Sequence, residues 1–388
     1  MATLIERVRQ NLEERKENAA QGNLNNIPFP FPRFRSDIPG IEKGRYYIVT
    51  GATKSAKTQF ATYTFLYYPL LFAFKNPDKL RVKIFYYTLE ETQEDILERF
   101  MSFLLFQQTK GKMRYSRSDL SSANIDKRLP DGVLEKFDES PLSEILEFFQ
   151  ENVIFSNSTN PTGVWKQCKT FAEQNGTVYH REAKYVDEFG QTQVTTEAFD
   201  HFEPNDPNEY WIIFFDHVGL TTTEHGKSLR ETIQKLSEYF VLLKNRYKFI
   251  PVAIQQQAMF EDNDAFKMNL LRPTIANLAD NKATARDCDY CLSMFSPYKY
   301  GLKQSKDYDI GMLRDNFRLM ECLVNRHGES NGRLPLFFDG AVDYFSELPS
   351  ASDEVGMEKV RKRLEKIRGC PVQKTFFTNT PDKAWEIL

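Results

Sequence analysis

Cysteine is scarce, with five residues in a chain of 388. That is too few to frame a protein of this size with disulfides, and reduced thiols in a cytoplasm fit better. Long apolar runs are also lacking. The longest, Phe65 to Phe74, is broken by Pro69 and falls short of the ~20 residues a membrane helix needs. Nor is there a surplus of one charge: 51 Lys+Arg face 54 Asp+Glu, a formal charge of −3. A surface coated in positive charge is excluded, so any nucleic acid would be held by a local strip or a shared channel. Met1 to Ala20 mixes Glu6, Glu13, Glu14 and Glu17 among its basic residues. That fits neither a secretory signal nor a transit peptide. No internal repeat of solenoid type is visible.

What is present is apolar and aromatic, at 41% and 14% of residues, ample for a large core. The length suits two or three domains, or one elaborated α/β domain with extensions. Residues 1–37 read as a short amphipathic helix, with Leu4, Ile5, Val8 and Leu12 on one face, then a Pro/Phe-rich linker. So narrow an apolar face must dock somewhere, either on its own domain or on a neighbouring subunit. From Gly44 the chain alternates buried-strand and helical patterns, the signature of a parallel α/β sheet. Strands are expected at Tyr46 to Thr50, Val82 to Thr88, Trp211 to Phe215 and Phe249 to Gln255. Further ones are expected at Tyr290 to Phe295, Leu319 to Val324, Pro335 to Phe338 and Tyr344 to Glu347, with a crossover helix over Leu229 to Tyr247. The main domain spans 38–349. Residues 110–141 read as a polar surface excursion, 177–210 as an inserted β-hairpin with an acidic loop, and 350–388 as a helical tail.

The strongest chemical signal is Gly51-Ala52-Thr53-Lys54-Ser55-Ala56-Lys57-Thr58, between a strand and a helix. This is the pattern of a phosphate loop, in which backbone N–H groups curl round phosphate oxygens at a helix N-terminus. Lys57 would reach the terminal phosphates and the Thr58 hydroxyl would hold Mg²⁺. Ala56 stands where glycine is usual, and is expected to take helical φ. An ordinary strand–helix turn is the competing reading. Trp211 to Asp216 is an apolar strand ending in one carboxylate, suited to the metal side of such a site, or else to a helix cap. Glu90, expected at the end of a strand from the sheet centre, could polarise a water; Glu90 and Glu91 could equally start the next helix.

The order of these segments resembles the RecA-like motor domain of DnaB-type replicative hexameric helicases, which phages also encode. Carrying the resemblance are Gly51 to Thr58, Thr88-Leu89-Glu90-Glu91, Asp216 to Leu220 and Val252 to Gln256, then Arg272 to Leu278, Asp287 to Tyr290 and Asn325 to Gly328. It spans roughly Ile38 to Leu348. It implies an α/β RecA-like P-loop NTPase: a central, mostly parallel sheet with a short N-terminal linker helix and an inserted hairpin. It further implies ATP and Mg²⁺ as cofactors, Glu90 as catalytic base and Asp216 as the Walker B acid. Gln256 would be the γ-phosphate sensor, and Arg326 the arginine finger completing the next subunit's site. Lys282 would be the cation of a DNA-contacting loop. The implied function is a ring-forming, DNA-replicating motor moving 5′–3′ on single-stranded DNA as a homo-oligomer, by family a hexamer. A primase or loader would be its partner, with no membrane, in a cytoplasm (the host's, if viral). The first helix would latch onto the adjacent subunit.

Three departures from that family, Ala56, Val324 and Ala279, favour an alternative: a nucleotide-binding scaffold or loader that hardly turns over. Arg326 could also be a solvated turn residue beside His327 and Gly328. Cys288 and Cys291 read as core, lacking a second pair with zinc spacing. His217 reads as structural, and Lys359 to Arg368 as a solvated helix face.

Overall fold

The computed structural model describes residues 3–123, 128–156, 158–186, 188–258 and 271–369. The chain begins with α1 (Leu4–Ala20), started by a reciprocal box in which the Thr3 hydroxyl accepts from Glu6 N and the Glu6 carboxylate accepts from Thr3 N. None of its residues is buried, and Leu4, Ile5, Val8 and Leu12 are all half or more exposed. Arg7 ties it to the rest of the chain, donating to Asp200 Oδ2 at 2.7 Å. The Pro/Phe segment that follows is a strap sunk into the molecule. Phe29, Phe31 and Phe34 are buried, with Phe31 stacked 5.8 Å from Phe60.

Nine strands form the central sheet, and the inner ones are apolar and buried on both faces, while the two outer strands are only partly covered. In chain order they are β1 (Tyr47–Gly51), β2 (Arg81–Thr88), β3 (Val153–Ser156), β6 (Glu209–Asp216), β7 (Ile250–Gln256), β8 (Tyr290–Phe295), β9 (Phe317–Asn325), β10 (Arg333–Asp339) and β11 (Tyr344–Glu347). The intervening β4 (Gly176–Val186) and β5 (Thr192–Pro204) make a separate hairpin. The spatial order is β11-β10-β9-β8-β1-β7-β6-β2-β3. Neighbours from β8 to β3 run parallel, and the β8-β9-β10-β11 end is antiparallel. The strand carrying Glu90 therefore lies one in from the edge, not at the centre, because Val153–Ser156 adds an outer strand that its four residues hid in the sequence.

Helices cover both faces. On one lie α2 (Lys57–Thr62) and α3 (Tyr68–Lys75), joined by a π turn, with α4 (Gln93–Gln108), α5 (Leu142–Asn152) and the strap. On the other lie α6 (Pro161–Gln174) and α7 (Leu229–Tyr247), which bury Val164, Cys168, Ile233, Leu236 and Phe240 against the sheet. A third cluster packs α8 (Glu354–Arg368) through Leu364 against the antiparallel end. The excursion at 110–141 is less superficial than its polarity suggests, since Leu129, Val133 and Phe137 reach the first core. Cys288 and Cys291 are fully buried among apolar side chains. The hairpin is anchored at its base by Phe202 on Trp211 and Tyr247, while Phe189 is exposed at its far end. Among the described residues no helix is long and apolar enough to cross a membrane.

Candidate nucleotide site

β1 delivers its C-terminal Gly51 to a tight loop that ends in α2. A Cβ at Gly51 would collide with Ser55 Oγ and Met294 O, so only glycine fits. Lys54 and Ala56 are both left-handed, at φ +63° and +67°. This corrects the expectation of helical φ at Ala56. The position needs the conformation glycine adopts freely, and alanine holds it at a cost of about 1–2 kcal/mol. Alternating left- and right-handed residues of this kind turn successive N–H groups inward, making an anion-binding concavity at the N-terminus of α2. Lys57 and Thr58 open that helix, facing a cleft of about 940 Å³ that Glu90 also lines.

Asp216 ends β6 beside this loop, in register with Thr88 of β2. It is 1% exposed, and neither carboxylate oxygen has a hydrogen-bond partner among the described residues. Burial pushes its pKa up to about 7, with Glu90 and Glu91 adding to the rise and Arg99 and Lys57 opposing it. Burial likewise lowers Lys57, against the pull of Asp216 and Glu90. An orphaned buried carboxylate near an ammonium and a hydroxyl fits a hard divalent cation shared with phosphate oxygens, which Mg²⁺ prefers to an all-protein cage. The chemistry of these residues thus suits Mg²⁺, and Thr58 and Asp216 are the side chains that could hold it.

Glu90 and Glu91 separate by role. The helix starts only at Gln93, capped by Thr92 with Asp95, so neither glutamate is its cap. Glu91 is held by Arg99 at 2.6 Å. The Glu90 carboxylate has no bond among the described residues and is exposed. Its backbone N–H is fixed by the Thr88 hydroxyl at 3.2 Å. His217 Nδ1 accepts from Gly219 N at 2.9 Å, and burial lowers its pKa.

Three consecutive glutamines close the other side. Gln256 Nε2 donates to Thr53 Oγ1 of the loop at 2.6 Å. Gln257 Nε2 donates to Thr50 Oγ1, and its Oε1 accepts from Thr274 N. Gln255 is buried and donates to the carbonyls of Ala279 and Asn281 at 2.6 and 2.8 Å. One strand end thereby grips both the loop and the segment holding Lys282, whose side chain is exposed. Gln255 and Gln257 were not foreseen, although a polar triplet ending an apolar strand was the available signal. Arg318 was missed too. It is buried on β9, stacks 4.7 Å from Phe338, and donates to Ser55 O at 3.1 Å. A charge inside Phe317-Arg318-Leu319-Met320 is the cue that could have found it.

Arg326 is not part of this cluster. β8 pairs Met294 with Gly51 and Tyr290 with Tyr47, while Asn325 pairs with Tyr290. Arg326 thus leaves the sheet at the edge opposite the loop, about 13 Å away along the strands. Its side chain is exposed, and its N–H donates to Asp289 O. Beneath it, Asp289 accepts from Lys244 Nζ at 2.6 Å and Tyr46 N at 2.8 Å, and lies 3.2 Å from His327 Nε2.

The strand order, the loop after β1 and the lone carboxylate after β6 decide the architecture. The chain has the RecA-like ATPase fold. By sequence it matches no protein-family model and no curated protein. Among solved structures it resembles the ATPase domain of G40P, at TM-score 0.61 and 14% identity, over 90% of this chain and all of that one. It also resembles a DnaB-like replicative helicase solved for its interactions with primase, at TM-score 0.58 and 13% identity, over 90% of this chain and 68% of that one. The RecA-like architecture holds over most of the chain despite this low identity.

Proposed function

We propose that this RecA-like protein is an ATP-driven motor of the DnaB type. It would assemble as a ring, by family a hexamer, and travel along single-stranded DNA in replication. In this reading the loop from Gly51 to Thr58 holds the triphosphate, and Lys57 neutralises its terminal oxygens. Thr58 and Asp216 hold Mg²⁺, which would offset charge on the transferring phosphoryl group. Glu90 would take the proton of the attacking water, its exposed carboxylate having no other partner among the described residues. The observation that carries the reading is the placement of Arg326 on the sheet edge opposite its own loop. A guanidinium there has no route to its own nucleotide, and serves one only on a second copy.

Gln256 would sense phosphate loss through its bond to Thr53, and Gln255 would pass the change to 279–284 through the carbonyls it grips. Lys282 would then hand the DNA backbone along. A primase or loader would be the partner. The exposed face of α1 would latch onto the neighbouring subunit. A second reading, a scaffold that binds nucleotide with little turnover, is favoured by the alanine held left-handed at 56, where glycine is usual. ATPase rates with and without single-stranded DNA, for wild type and Glu90→Gln, separate them. DNA-stimulated hydrolysis abolished by the substitution supports the motor; a flat, negligible rate supports the scaffold.

A further inference from the structure

A second cleft, of about 820 Å³, lies between the C-terminal end of α4 and α8. Lys110, Lys112, Arg114, Lys362, Arg363 and Lys366 line it, and no carboxylate does. Among the described residues only Arg114 of these has an acidic partner, donating to both oxygens of the buried Asp339 at 2.8 and 2.7 Å. Arg363 is spread over aromatic rings instead, 4.0 Å from the Phe337 centroid and 4.9 Å from that of Tyr344. The four lysines form no ion pair among the described residues, and Lys110, Lys362 and Lys366 are exposed. On a chain of net charge −3, so uncompensated a cluster creates a local positive field that favours a polyanion.

We propose that this cleft, which adjoins the nucleotide cleft through their shared Arg114, binds the phosphate backbone of a single-stranded nucleic acid at a place distinct from the segment of Lys282. Lys362 and Lys366 sit one helical turn apart, about 6 Å along α8, so they present a row of donors rather than one point. The cleft is open, which suits an extended strand better than a small enclosed anion. Arg363 lies over the rings of Phe106 and Tyr344, so its flat guanidinium is held in the wall of the cleft, where a planar cation can also meet the face of a base, a contact that an acidic peptide would not use. The helix face that sequence alone reads as merely solvated is thus one wall of a built groove. The proposal does not require the nucleotide site to turn over.

The test uses the full chain without nucleotide. Binding of a fluorescent oligothymidylate is followed by anisotropy across a salt series, for wild type and for the double charge reversals K362E/K366E and K110E/K112E. Each reversal should weaken binding about tenfold and flatten the salt slope by about 1.4, two phosphate contacts at about 0.7 each. Basal ATP hydrolysis and melting temperature should stay at wild-type values, which separates this failure from failure of the motor reading. In parallel, lysine acetylation read by mass spectrometry should show Lys110, Lys112, Lys362 and Lys366 protected by the oligonucleotide. K362Q/K366Q, which removes charge without adding any, should give a smaller loss in the same direction. Unchanged affinity with unprotected lysines overturns the proposal. So does polyglutamate competing as well as oligothymidylate, which would make the occupant an acidic peptide.

Discussion

The two edges of the central sheet are built on opposite principles. At the loop edge three charged groups lack partners among the described residues: Asp216 is buried with both oxygens unbonded, Lys57 is partly desolvated beside it, and the Glu90 carboxylate stands alone. At the Arg326 edge the buried charges are answered, with Asp289 taking Lys244, Tyr46 and His327 while Arg326 projects outward. Unmet charge costs stability and is kept where a ligand will meet it, whereas a closed network only fixes the position of what sits above it. One edge looks made to receive, the other to present.

Breaking the receiving edge should have the largest effect. Lys57→Ala should abolish measurable nucleotide binding by calorimetry, because its ammonium, at the first residue of α2 and lining the cleft, is placed to neutralise terminal phosphates. Arg326→Ala should leave binding near wild type yet slow turnover by about 10³-fold or more. Mixing Arg326→Ala with Glu90→Gln subunits should restore hydrolysis at some interfaces. No recovery at any ratio would count against a finger supplied by a neighbour.

The presenting edge should fail differently. Lys244→Ala leaves Asp289 charged and buried, a loss of about 3–5 kcal/mol in chemical denaturation. Its pH dependence has a definite sign. Hydrogen bonds from Lys244 and the Tyr46 N–H, with the Lys244 charge, hold the Asp289 carboxyl below its ordinary value despite burial. The stabilisation is therefore complete above the usual carboxylate range and is lost as pH falls below it. Lys244→Ala should shrink that acid-side loss, leaving only the part due to the Tyr46 N–H and His327. The smallest effect should come from Ala56→Gly. Relief of left-handed strain, partly offset by the greater freedom of glycine in the unfolded chain, should add about 0.5–1 kcal/mol, read as a small rise in melting temperature.

All but one of the parallel strands were legible because each is a short apolar run bounded by turn residues, and the loop because its spacing is dictated by phosphate chemistry. Val153–Ser156 escaped notice, since four residues after an amphipathic helix carry no period of their own. Glu91 looked equivalent to Glu90 until Arg99, eight residues on, was seen to hold one and not the other. Arg318, Gln255 and Gln257 depend on partners far away in the chain, so no local pattern marks their roles.

The amino-acid order alone determined that a buried parallel sheet forms and that its first strand ends in an anion-binding turn. Those are local matters of periodicity, propensity and backbone freedom. Which carboxylate stays unpaired, which side of the sheet each cation leaves from, and which lysines gather round a groove were decided only by folding. Such properties belong to distances between residues remote in sequence, and burial sets their strength.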